Sequence, residues 1–168
     1  CCRMATQGMQ VQTNSPRARA AQTMVLSLLM SDAGASTTAL TPHSELGDWA
    51  NRWDAKPERL PKRQRVASDP SHTAISVNLD ACIQCTRCLR ACRDVQVNDV
   101  IGLAGRGAHA RIVFDAEAAL GDSTCVSCGE CVQACPTGAL MPARGAGLRA
   151  ITRSVDSVCP YCGVGCQL

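Results

Sequence analysis

Two stretches, "CIQCTRCLRAC" (Cys82–Cys92) and "CVSCGECVQACP" (Cys125–Pro136), spell the same pattern, C-x2-C-x2-C-x3-C. They form an internal repeat, separated by residues 93–124. Disulfide scaffolds spread cysteines through the loops of secreted chains. Here they stand two or three residues apart, which is the spacing of metal donors. Three cysteines so spaced wrap one tight loop around a cuboidal iron–sulfur cluster. The fourth, expected at the start of a short helix, points away to a second cluster. The expected ligand sets are therefore crossed. Cys82, Cys85, Cys88 and Cys135 hold one 4Fe-4S cluster, and Cys125, Cys128, Cys131 and Cys92 hold the other. Structural zinc is the rival, but zinc prefers two separated C-x2-C pairs around one tetrahedral ion. Gly129 and Gly138 leave backbone N–H groups free to approach cluster sulfurs, and Arg93 stands where the second repeat has Pro136.

The rest of the composition supports a stapled fold. The chain has 168 residues, 13 cysteines and only four aromatics, Trp49, Trp53, Phe114 and Tyr161. That length suits one or two small domains, and an apolar core so thin needs disulfides or metals to hold it. No signal peptide and no membrane-length apolar run is present, so the chain reads as cytoplasmic, with reduced, metal-binding cysteines. The net charge of +3 says little about partners. The basic stretch "KPERLPKRQR" (Lys56–Arg65) contains two prolines and reads as solvated linker rather than as a nucleic-acid surface.

Outside the repeats, Ser15 and Pro16 open a helix that stops near Asp32 to Gly34. Its stripe of Ala18, Ala21, Val25, Leu28 and Leu29 reads as core packing. Residues 33–72 read as linker-like, with a short helix in "HSELGDWANRW". "AISVNLDAC" alternates as a strand through Ile75, Val77 and Leu79. "VIGLAGRG" and "ARIVFD" supply a hairpin between the repeats. His43, His72 and His109 are isolated and read as surface residues, and no catalytic residue is identifiable.

The repeats resemble the two-cluster bacterial ferredoxins. "SVCPYCGVGCQL" carries Cys159, Cys162 and Cys166 in C-x2-C-x3-C spacing. It resembles the start of the molybdopterin-dependent oxidoreductases, formate dehydrogenases and assimilatory nitrate reductases above all. There, such cysteines and one later cysteine bind a further 4Fe-4S cluster beside molybdenum or tungsten. The resemblance implies a fourth ligand beyond Leu168. At the other end, "CRMATQGMQVQTNSPRARAAQTMVLSLLMSD" resembles the segment closing the 2Fe-2S domain of cytoplasmic formate dehydrogenase alpha subunits. The same segment occurs in the large subunit of NADH:quinone oxidoreductases and in iron-only hydrogenases. By that resemblance Cys2 is the last ligand of a 2Fe-2S cluster. The family usually continues with a histidine and three cysteines. Here the corresponding positions are Ser31, Ala35, Thr38 and Ser44, which implies that this cluster is absent.

The sequence thus points to an α+β chain of four parts. Residues 1–32 are the tail of a 2Fe-2S domain with its helix. Residues 33–72 are a linker-like region in which the histidine-and-three-cysteine segment is degenerate. Residues 73–146 are a ferredoxin-type domain with two 4Fe-4S sites, its repeats at about 73–103 and 116–145. Residues 147–168 begin a molybdopterin-oxidoreductase cluster domain. The expectation is an amino-terminal fragment of a formate dehydrogenase alpha subunit that passes electrons to NAD- or ferredoxin-linked subunits. Its parent would add a further 4Fe-4S, a 2Fe-2S and a molybdopterin guanine dinucleotide with Mo or W. The alternatives are a standalone ferredoxin-like carrier and another molybdopterin enzyme such as a nitrate reductase.

Overall fold

The computed structural model describes residues 3–33, 44–57, 66–143, 155–159 and 163–167. Cys2, Cys162, His43, Ala35 and Thr38 lie outside them. Among the described residues no helix is long and apolar enough to cross a membrane.

Helix α1 spans Pro16–Ala33, with the Ala18 amide donating to Ser15 Oγ at 3.2 Å. The apolar stripe read as core packing is only partly covered: Val25 is 54% and Leu28 44% exposed, Ala18 and Leu29 are half-buried, and the buried residues are Ser27, Ser31 and Ala33. The reason is the size of the partner. Helix α2, Glu45–Arg52, has 8 residues against 18 in α1. At 1.5 Å per residue it can cover only part of the longer helix. Arg19 lies over the Trp53 ring at 5.5 Å at the same contact. Ser31 and Ser44, two of the positions aligned with cluster ligands, serve helices here. Ser31 Oγ donates to the Ser27 carbonyl at 2.7 Å, and Ser44 Oγ accepts from the Gly47 amide at 3.3 Å as the α2 cap.

The cysteine-rich domain closes on itself through two antiparallel pairs. Strand β1, Ile75–Val77, leads into the first repeat, and strand β4, Leu140–Pro142, leaves the second. They pair directly, Ile75 opposite Pro142 and Val77 opposite Leu140. Between the repeats, β2 (Ile101–Ala104) and β3 (Arg111–Phe114) form a hairpin with Ile101 opposite Phe114. Alternation puts Ile112 and Phe114 on the buried side of β3 while Arg111 and Val113 are half-covered. The core is Ile75, Val77, Val100, Ile101, Ile112, Phe114, Leu120 and Leu140, with Cys92 and Cys131 buried among them.

The stretch before β1 joins the domain. Asp69 and Val77 exchange backbone hydrogen bonds at 2.9 and 3.1 Å, extending the β1 edge. The Asp69 carboxylate accepts from the Leu120 amide at 2.7 Å and the Ser71 amide at 2.9 Å. The Gly121 amide donates to Ser71 Oγ at 2.8 Å. Burial alone would raise the Asp69 carboxyl, but the hydrogen bonds from Ser71 and Leu120 outweigh it and hold it below its ordinary value.

Candidate metal centres

Each repeat builds a loop and one short helix. The first helix, α3, is Arg87–Arg90 and runs on into a π-turn at Ala91–Val95; the second, α4, is Glu130–Ala134. Each starts from a residue in the left-handed region, Thr86 (φ 59°) and Gly129 (φ 79°). A second left-handed residue precedes the middle cysteine in both loops, Gln84 (φ 57°) and Ser127 (φ 59°). The two loops therefore share one backbone course although only their cysteines agree in sequence. That course turns amide N–H groups inward, toward the cysteines. The Gln84 amide donates to Cys82 Sγ and the Ser127 amide to Cys125 Sγ, both at 3.4 Å.

The spacing predicts that the last cysteine of each repeat opens a short helix; Cys92 does stand at the start of a π-turn, but Cys135 lies at a helix end. Cys135 is the C-cap of α4, followed by Pro136, which lacks the N–H to continue the helix. In the first repeat Arg93 has that N–H, and the backbone carries on through the π-turn, with the Gln96 amide reaching the Ala91 carbonyl at 3.0 Å. Cys92 sits inside this turn, buried.

Two small cavities result. Cys82, Cys85, Cys88 and Cys135 line the first, among Leu79, Ile83, Ile112 and Leu140. Cys92, Cys125, Cys128 and Cys131 line the second, among Ile75, Val100, Ile101 and Leu120. Three cysteines of one repeat thus meet the last cysteine of the other, twice. Electrostatics reports the same neighbours. Burial pushes the Cys88 thiol up to about 12, with Cys82, Cys135 and Cys85 adding to it. Burial likewise pushes Cys131 up to about 12, helped by Cys125, Cys128 and Cys92. A bound metal reverses this preference, because a coordinating thiol is deprotonated outright.

The donor set fits a polynuclear cluster. Among the described residues no three His, Cys, Asp or Glu side chains converge on a point a single ion could occupy. The sulfurs instead surround a space, lined by apolar residues, with N–H donors beside it. The Leu140 amide donates to Cys135 Sγ at 3.5 Å, and Asn98 Nδ2 approaches Cys128 Sγ at 4.0 Å. Donors placed behind the ligands in this way orient the sulfurs and neutralise part of their charge.

The centres differ in their cover. Helix α2 leans on the first, through Leu46 N to the Pro136 carbonyl at 3.3 Å and an Arg87–Glu45 ion pair at 2.7 Å. The loop of the second is the more exposed, at Val126, Ser127 and Cys128. That loop is held instead by a histidine that the sequence alone places on the surface. His72 is 8% exposed and lies 3.2 Å from Ser127 Oγ through Nε2. His109 is exposed. The terminal motif curls back, with the Cys159 amide on the Cys166 carbonyl at 2.8 Å and positive φ at Gly163 and Gly165.

Comparison with known proteins agrees with this chemistry. Residues 81–139 match the family model described as a 4Fe-4S dicluster domain. An NADH-quinone oxidoreductase subunit of Rhizobium meliloti is 31% identical over 176 residues, which is 100% of this chain and 20% of the relative. The NADP-reducing hydrogenase subunit HndD of Solidesulfovibrio fructosivorans is 35% identical over 145 residues, 84% of this chain and 25% of its own length. A formate dehydrogenase-like protein of Staphylococcus haemolyticus is 29% identical over 128 residues, 52% of this chain and 13% of the relative. The chain therefore spans a quarter or less of these curated relatives. A crystal structure of an NAD+-reducing [NiFe]-hydrogenase superposes with a TM-score of 0.73 at 21% identity, over 90% of this chain and 64% of that one. At that identity the likeness concerns the fold. The chain carries an iron–sulfur electron-transfer domain of the 4Fe-4S ferredoxin-like type, homologous to segments of NADH-quinone oxidoreductase, hydrogenase and formate dehydrogenase-like proteins.

Proposed function

We propose that residues 73–146 hold two 4Fe-4S clusters in crossed ligation and relay single electrons within a formate dehydrogenase alpha subunit. Cys82, Cys85, Cys88 and Cys135 are the ligands of one cluster, and Cys125, Cys128, Cys131 and Cys92 those of the other. The observation that carries this is the pair of cysteine-lined cavities, each completed by the last cysteine of the opposite repeat. A 4Fe-4S cluster supplies one-electron storage at a potential set by cluster charge, hydrogen bonds to sulfur and solvent exposure. This chain's residues supply the thiolates, donate amides to them, and exclude water through the apolar walls. The thiols at Cys88 and Cys131 release their protons when metal binds. Helix α2 shields the first centre, while the exposed side of Cys128 makes the second the nearer to an outside partner.

In this reading Cys159, Cys162 and Cys166 belong to a further 4Fe-4S cluster at the entrance of a molybdopterin domain carrying Mo or W. Cys2 completes a 2Fe-2S site, and the electrons leave toward an NAD- or ferredoxin-linked subunit. Formate oxidation itself takes place elsewhere in the protein. The C-P-Y-C-G-V-G-C spacing supports the molybdopterin assignment. A second reading places the chain in a hydrogenase or NADH-quinone oxidoreductase subunit. It is favoured by the NADH-quinone oxidoreductase relative that aligns over 100% of the chain.

Anaerobic reconstitution tests the cluster assignment. About eight irons and as much acid-labile sulfide are expected per chain, and stoichiometric zinc without sulfide refutes it. Metal analysis of the natively purified protein separates the two readings: molybdenum or tungsten with formate-dependent dye reduction supports the first, and their absence with hydrogen- or NADH-dependent reduction supports the second.

A further inference from the structure

The two cluster loops have the same backbone, but their left-handed residues are braced from outside by unrelated parts of the chain. In the first loop, Gln84 donates its side-chain amide to the Ala110 carbonyl, just before β3. In the second loop the equivalent residue is Ser127, and its brace is His72. Both residues point their own backbone amide at the sulfur of the first cysteine of their loop, at 3.4 Å.

The His72 ring is fixed by what surrounds it. Nδ1 accepts from the Ala74 amide at 3.2 Å and the Ile75 amide at 3.1 Å. A ring nitrogen that accepts two hydrogen bonds carries no proton, so the proton of the neutral ring sits on Nε2. Nε2–H then donates to Ser127 Oγ, 3.2 Å away. The result is a continuous set of contacts from the start of β1, through His72 and Ser127, to the Cys125 sulfur. A serine held at φ 59° without a glycine's freedom needs such support.

We propose that His72 is a positioning residue of the second metal centre: through Ser127 it holds the Ser127 amide against the Cys125 sulfur and favours the reduced form of the group bound there. The proposal rests on the reading of that cavity as a 4Fe-4S site. An N–H donor at a cluster sulfur stabilises the added negative charge, so its loss lowers the potential. Gln84 does the same for the first centre by a different route, so the two potentials are set independently.

The test uses the full chain, reconstituted anaerobically and titrated with reductant while EPR and absorbance are followed. The wave belonging to the second centre is the one that Cys125→Ser perturbs. Ser127→Ala removes the exposed hydroxyl that His72 holds and keeps the amide N–H itself, now without its brace. It is expected to lower the second centre's reduction equilibrium several-fold, toward tenfold, which is about 59 mV for one electron. His72→Ala shifts the same wave, the double variant shifts it no further than Ser127→Ala alone, and His72→Gln restores part of the loss. Gln84→Ala moves the other wave. If Ser127→Ala binds eight irons yet shifts neither wave, or shifts both alike, this inference fails while the cluster assignment stands. If the unaltered chain takes up no second cluster, both fall together.

Discussion

Gly121→Ala is the sharpest probe of how the stretch before β1 is bound to the second repeat. Gly121 carries no conformational demand; its constraint is space. A Cβ there would stand 2.7 Å from the Ser71 carbonyl oxygen and 2.8 Å from its carbon, both backbone atoms. Ordinary contact begins at about 3.4 Å, so the two segments must part by about 0.7 Å. That movement stretches the Gly121–Ser71 bond from 2.8 Å and the Leu120–Asp69 bond from 2.7 Å to the limit of hydrogen bonding. Overpacking costs about 1–3 kcal/mol. Weakening one neutral and one carboxylate hydrogen bond adds about 1–2 kcal/mol, less than their full loss. A destabilisation of about 2–5 kcal/mol is expected. Anaerobic urea titration of the reconstituted protein, followed by cluster absorbance and by circular dichroism, reads it as a lowered midpoint. The second centre should bleach first, because residues 120–124 lead directly into Cys125. A stability within about 0.5 kcal/mol of the unaltered protein refutes the packing of residues 66–72 against the second repeat.

Other expectations concern the ligands, the loop backbones and pH. Cys92→Ser should remove or convert the cluster of the second repeat and Cys135→Ser that of the first, read by iron content and EPR; loss within the substituted repeat itself refutes crossed ligation. Gly129→Ala meets open space but must keep φ near 79°, so a cost of about 1 kcal/mol is expected, whereas Thr86→Gly at φ 59° should be neutral or stabilising by up to a similar amount; a lowered urea midpoint for the first and an unchanged or raised one for the second check the pair. Asp69, whose folded carboxyl lies below its ordinary value, contributes stability that is complete above about pH 4 and is lost as pH falls through the folded value. Asp69→Asn should therefore lower stability near neutral pH and flatten its acid dependence below about pH 4, seen as cluster bleaching rates after an anaerobic acid jump.

Legibility followed the range of the interactions. The repeat, the hairpin between its halves and the helix opened by Ser15 and Pro16 are local patterns, and spacing alone exposes them. The 66–72 segment reads as linker because its partners are far away in the chain: Asp69 meets Leu120, Ser71 meets Gly121, and His72 meets Ser127. No periodicity encodes such contacts. A hint exists in "DPSH", where Asp, Ser and His stand together just before a strand, the side chains that commonly bond to backbone in turns. The half-covered stripe of α1 misleads for another reason. Helical spacing identifies an apolar face, but it does not say how long the partner is that might cover it.

The cavities borrow walls from each other, and this bears on how the protein is made. During synthesis the first loop emerges complete through Cys88, yet the fourth cysteine lining its cavity is Cys135, 47 residues later. The second cavity already has Cys92 waiting and is furnished as soon as Cys131 appears, four residues before the first. Strand β4, which closes the domain against β1, comes only after both. A ribosome-bound chain therefore offers incomplete thiol sets for most of the domain's translation. Iron delivered early would meet three sulfurs and an open side. Insertion machinery that acts after release, or on a chain whose residues 75–142 have all cleared the exit tunnel, suits this architecture best.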